Sequence, residues 1–236
     1  MKLEYSEFLN RYDRFACYSV NQTKYNTFVA GKYVNDHQIE GSIVECGIAA
    51  GGNFALLKAG CEYSSNSIQR KYWGFDSFVG IQLGGKHDDG QPGFGPITWN
   101  VDVPDDDLLI SSGITSHSKE NVISNLTDWG MYDSSIELVE GWIQKTLTDA
   151  VLEQIGKIAV LRLDLDMYAP TKFSIEKLYP LISTGGLLII DDWALKGARQ
   201  ACSEFFISNN IQPKHAEIDD LIENIPGTDI PYFIKG

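Results

Sequence analysis

Gly185-Gly186-Leu187-Leu188-Ile189-Ile190-Asp191-Asp192 is the most apolar stretch of the chain, and it runs straight into two acids. Four apolar residues in a row after a glycine turn read as a strand buried on both faces. Upstream, Ile158-Ala159-Val160-Leu161-Arg162-Leu163 followed by Asp164 repeats the arrangement. Between the two, the segment from Pro170 to Leu181 spaces Phe173, Ile175, Leu178 and Leu181 as one face of a helix. A strand, a helix and a second strand make a parallel pair. Their acids then converge at neighbouring carboxyl ends, where such sheets bind ligands.

The same alternation extends outward from that pair. Segments 42–47, 72–76 and 136–139 read as further strands, and Tyr232-Phe233-Ile234 reads as part of a last strand pair. Helical patterns cover 54–59, 119–130, 146–155 and 196–208. The expected fold is α/β, a doubly wound, mostly parallel, Rossmann-like sheet. Residues 1–40 carry Leu3, Phe8, Leu9, Tyr12 and Phe15 at helical spacing. They are expected to form an N-terminal helical cap on a domain spanning 41–236. Glycines, prolines and the run Asp105-Asp106-Asp107 mark a loop insertion at about 80–118. A lid near an active site and a floppy surface insert both fit it.

Composition narrows the function classes. The 236 residues hold 19 Lys and Arg against 32 Asp and Glu, a net charge of −13. That field disfavours nucleic acid and anionic membranes as partners. The four cysteines, Cys17, Cys46, Cys61 and Cys202, show no zinc or disulfide spacing. The opening MKLEYSEFLNRYDRF has charge throughout and no apolar signal-peptide core, so a cytoplasmic, reduced protein is expected.

The strand ends carry the chemistry. Glu45-Cys46-Gly47 leads into Gly51-Gly52-Asn53, a glycine turn before a helix, where backbone can approach a ligand closely. Asp76 ends the next strand, as does an acid that holds ribose hydroxyls; an Asp there is also a common turn cap. Asp164 and Asp166 face Asp191-Asp192 across the parallel pair. Crowded carboxylates repel unless a cation neutralises them, and oxygen ligands suit Mg²⁺, Mn²⁺ or Ca²⁺. An NAD(P)-linked or nucleotide-sugar oxidoreductase or epimerase on a related sheet is the alternative. It calls for a tighter glycine fingerprint than this chain carries, because Ala49 stands where G-x-G-x-x-G needs a glycine.

Taken in order, IVECGIAAGG, GFDSFVG, ELVEGWIQKTL, LRLDLDMYAPT, LYPLISTGGLLIIDDW and ARQACSEF resemble the macrocin O-methyltransferase family. The resemblance runs from about Gly41 onward, and D-x-D-x-Y with G-G-x-x-I-I-D-D are its most specific motifs. It implies a class I methyltransferase sheet, S-adenosylmethionine as cofactor, Mg²⁺ or another divalent cation beside it, and a sugar hydroxyl as acceptor. Glu45, Gly47 and Gly51 would line the methionine part of the cofactor, with Asn53 next to them. Asp76 and Ser77 would hold the ribose, and Gly141 and Trp142 would lie near the adenine. Asp164, Asp191 and Asp192 would bind the metal, and Asp164 is the candidate base, with His87 and His117 as rivals. The expected partner is a small-molecule or glycosylated acceptor; a homo-oligomer stays open.

Overall fold

The chain enters through α1 (Tyr5–Tyr12) and α2 (Asn21–Asp36) before its first strand, β1 (Ser42–Cys46). Then follow α3 (Gly52–Cys61), β2 (Tyr72–Asp76), α4 (Lys119–Asp128) and β3 (Ile136–Glu140). The short α5 (Ile143–Thr146) and α6 (Asp149–Ile155) precede β4 (Ile158–Leu163) and α7 (Tyr168–Leu178). The chain closes with β5 (Ile182–Ile190), α8 (Lys196–Ser208), β6 (Lys214–His215) and β7 (Tyr232–Ile234). This computed structural model describes residues 3–64, 66–88, 109–223 and 230–236.

Among the described residues the seven strands form one sheet of order β3-β2-β1-β4-β5-β7-β6. β1 to β5 run parallel, and β7 pairs antiparallel with both β5 and β6. The doubly wound expectation is met, and β4 and β5 are neighbours as the helix between them requires. The central strands carry no exposed residue because helices cover both faces: every residue of β1 and β4 is buried.

Two local differences from the sequence reading have clear causes. The helix expected over 146–155 is split, because the Thr148 side chain accepts from the Val151 N–H and starts a new helix, α6. β5 begins earlier than its apolar run, at Ile182, and crosses Gly185 in a left-handed conformation with φ +80°. In the first layer, α2 and α3 cross through glycines. A Cβ on Gly31 would stand 2.2 Å from the Leu57 carbonyl oxygen, and one on Gly60 would stand 2.0 Å from that of Phe28. α2 is therefore part of the main core, with Phe28 and Ala30 fully buried. Of the 80–118 insertion, 89–108 lie outside the described residues. Its two feet pair through the Gln82–Ser111 bridge, with Leu83 N–H donating to the Ile110 carbonyl. No described helix is long and apolar enough to cross a membrane.

Candidate active site

The carboxyl ends of β1 to β5 open on a cavity of about 450 Å³. Of the residues singled out from sequence, Glu45, Gly47, Asn53, Asp76, Ser77, Gly141, Trp142, Asp164, Asp191 and Asp192 all line it. Gly51 does not. It caps α3 at φ +90°, and a side chain there would press on Val122 and Leu126 of α4, so its place is in packing behind the turn. His87 stacks on Tyr168 with ring centroids 3.9 Å apart, and His117 meets Tyr18 at 3.0 Å; neither lines the cavity.

On the β1–β2 side the polar groups have spare capacity. Glu45 is buried, and its Oε2 has no partner among the described residues. Burial drives its carboxyl up to about 8, against the pull of Arg162. The Asn53 side chain donates to Ser19 Oγ at 2.8 Å, while its buried Oδ1 has no partner among the described residues. Asp76 accepts from the Ala49 and Phe78 N–H groups, at 2.9 and 2.7 Å. It is thus a turn cap that also lines the cavity. Ser77 Oγ donates to the Gly80 carbonyl and so braces the foot of the insertion. Gly141, at φ +128°, donates to the Asp76 carbonyl, which places Trp142 over the same mouth.

On the β4–β5 side the acids crowd. Asp164, Asp166 and Asp192 each offer an oxygen within 4.8 Å of the others. The Asp166 N–H donates to Asp192 Oδ2 at 2.8 Å, from a left-handed backbone with φ +62°. Burial, then the neighbouring carboxylate charges, raise Asp166 and Asp192 well above the usual carboxylate range. Burial brings Asp191 to about 7 although Arg162 opposes it. Asp191 points elsewhere: its carboxylate is bonded by Arg162, and Asp166 takes the third place in the cluster. An all-oxygen set of carboxylates is the donor chemistry of a hard divalent cation.

Arg162 went unmarked in the sequence, although its signal was present. A charge inside a strand with no exposed residue must be paired, or it costs several kcal/mol. The guanidinium donates to Glu45 and Asp164, both at 2.6 Å, and to Asp191.

Comparison with known proteins gives the family and the fold. The profile of the family described as Macrocin-O-methyltransferase (TylF) matches residues 22–222. A Streptomyces olivaceus protein, 8-demethyl-8-(2,3-dimethoxy-alpha-L-rhamnosyl)-tetracenomycin-C 4'-O-methyltransferase, is 30% identical over 77% of this chain and 64% of its own. Demethyldecarbamoylnovobiocin O-methyltransferase of Streptomyces niveus is 30% identical over 67% of this chain and 55% of its own. The chain thus spans less than two thirds of the length of either relative. Among solved structures, the O-methyltransferase NovP superposes with a TM-score of 0.69 at 25% identity, covering 91% of this chain and 80% of that one. The relatives are named as methyltransferases, and none of them supports the oxidoreductase alternative.

Proposed function

The chain belongs to the macrocin-O-methyltransferase (TylF) family, and on that premise we propose that it transfers the methyl group of S-adenosylmethionine to a sugar hydroxyl of a glycosylated small molecule, with a divalent cation in the site. The observation that carries the reading is one cavity holding two complementary halves. Its β1–β2 half offers Glu45 Oε2 and Asn53 Oδ1, both without a partner among the described residues, with Asp76 beyond them, and its β4–β5 half offers the Asp164, Asp166 and Asp192 oxygens. The names of the relatives, one of which carries a rhamnosyl tetracenomycin and the other demethyldecarbamoylnovobiocin, support a glycosylated small molecule as acceptor.

Each residue then has a task. Glu45 accepts from the cofactor's ammonium group, and Gly47 leaves room for its backbone to pass. Asp76 accepts from the ribose hydroxyls, with Ser77 fixing the loop beside them. Trp142 and Gly141 border the adenine. Asp164, Asp166 and Asp192 would hold the cation, with Asp191 held beside them by Arg162. When bound, that ion supplies orientation and acidification of the acceptor hydroxyl. A neutral alcohol is a poor nucleophile, and Asp164, which shares Arg162 Nη1 with Glu45, takes its proton. The walls hold the two reactants in line and keep water out, a contribution that reaches on the order of 10⁵ M in effective concentration.

The test is methyl transfer from labelled S-adenosylmethionine to a panel of deoxysugar glycosides, with and without EDTA, alongside titration with S-adenosylhomocysteine and with NAD. Binding of S-adenosylhomocysteine and EDTA-sensitive transfer are expected. Binding of NAD alone would overturn the reading, and undiminished transfer in EDTA would remove the cation from it.

A further inference from the structure

Arg162 belongs to neither half of the cavity and touches both. The β1–β4 register sets Glu45 directly beside it. Asp164 lies two residues further along β4 and so on the same face of the sheet. β5 pairs Ile190 with Leu163, which brings Asp191 alongside Asp164. Three carboxylates from three adjacent strands therefore meet one guanidinium that has no exposed surface. Nη1 serves Glu45 and Asp164, and Nη2 serves Asp191.

That geometry does more than neutralise charge. Glu45 Oε2 has no partner among the described residues, so the bond from Nη1 to Oε1 is what fixes the direction in which Oε2 points. The same nitrogen bonds one oxygen of Asp164, which fixes how Asp164 presents its carboxylate to Asp166 and Asp192. A guanidinium is a planar fork with fixed donor directions, whereas a lysine ammonium is a point charge on a flexible stem. Lysine at this position would keep the charge and lose the frame.

We infer that Arg162 is a positioning residue that locks the cofactor-binding carboxylate Glu45, the cation-binding carboxylate Asp164 and its neighbour Asp191 into one frame, so that a change at either end is felt at the other. The inference rests on the functional reading above and goes beyond it, because it makes the two half-sites a single coupled unit. If the bond between Glu45 and Nη1 is weakened, the guanidinium weighs more heavily on Asp164 and Asp191, and a cation there is held less tightly.

The experiment measures binding rather than turnover, using three probes on the full chain: S-adenosylhomocysteine, 5'-methylthioadenosine and Mn²⁺, each by calorimetry. Arg162→Lys is expected to weaken both S-adenosylhomocysteine and Mn²⁺ at least tenfold. It should leave 5'-methylthioadenosine, which lacks the amino-acid end, within about twofold. General loosening of the fold would weaken all three probes. Arg162→Lys with folding intact and either of the first two affinities unchanged would overturn the inference, as would equal weakening of all three. Should that variant not fold, Glu45→Gln decides: its Mn²⁺ affinity falls at least threefold if the frame is shared, and equality with wild type refutes the coupling. A wild type that binds neither S-adenosylhomocysteine nor Mn²⁺ would instead sink the functional reading.

Discussion

Gly47→Ala tests how closely β1 and β4 must approach to build the site. Gly47 has φ +87°, and a Cβ there would stand 1.7 Å from the carbonyl oxygen of Asp164. The left-handed conformation alone costs an alanine about 1–2 kcal/mol. The clash is with backbone, so the end of β4 must also retreat, by roughly 1.5 Å to regain ordinary contact. That movement strains the bond from the Asp164 N–H to the Cys46 carbonyl, now 2.9 Å, and losing it adds about 1 kcal/mol. The total is about 2–3 kcal/mol, or roughly 4–12 °C in melting temperature for a chain of this size. Gly130→Ala is the control: φ is +73°, but nothing lies within 4 Å of its Cβ, so it should cost only about 1 kcal/mol. Urea unfolding of both variants gives the comparison. Equal destabilisation would mean that the close approach contributes nothing and that the site tolerates a wider gap.

Two further outcomes follow from the packing around the site. Lys58 is buried and paired with Asp133 and Glu62, and although desolvation raises Asp133, hydrogen bonds from Ser135 and Lys58 outweigh it and hold it at about 2. Asp133→Asn should therefore cost about 1 kcal/mol after solvent screening, present at neutral pH and fading as pH falls through about 2, where the wild-type carboxylate also protonates; a cost that persists unchanged in acid would disprove the ion-pair account. Asp88 is buried and accepts from the Gly85 N–H and from the Tyr168 N–H at the start of α7. Asp88→Ala should cost about 1–2 kcal/mol and speed proteolytic cleavage near residue 88, and unchanged cleavage would show that this clasp does not hold the foot of the insertion.

The sheet was legible because its strands are buried on both faces: Leu187-Leu188-Ile189-Ile190 and Ile158 to Leu163 can be little else between turns and helices. The acids at their ends were legible for the same reason, since a carboxylate after such a strand must emerge at a carboxyl edge. Pairings that depend on register were hidden. Arg162 reads as a stray charge until β1 is known to set Glu45 beside it. The third member of the acidic cluster turned on one backbone angle: Asp166, at φ +62°, swings toward Asp192 while Asp191 is drawn to Arg162. Gly51 shows the opposite limit, because a glycine needed for a left-handed helix cap and one needed beside a ligand look alike in sequence.

The crowding at the acids has a consequence for stability. Asp166 and Asp192 resist ionisation because burial and their neighbours' charges make the anionic form costly, so the folded protein carries that cost at neutral pH. A divalent cation that binds the folded cluster, and not the unfolded chain, offsets it. By linkage, Mn²⁺ at a hundredfold its dissociation constant should add about 2.7 kcal/mol, which is roughly 5–10 °C in melting temperature. NaCl at matched ionic strength should do far less, because it screens the cluster without bridging it. Asp192→Asn removes one donor and one repelling charge, so the variant should melt no lower than wild type in EDTA yet gain little from Mn²⁺. An equal rise for wild type and variant would place the ion elsewhere on this acidic surface. No rise in either would leave the carboxylates repelling one another with no cation to answer them, and the metal half of the proposed site would have to be given up.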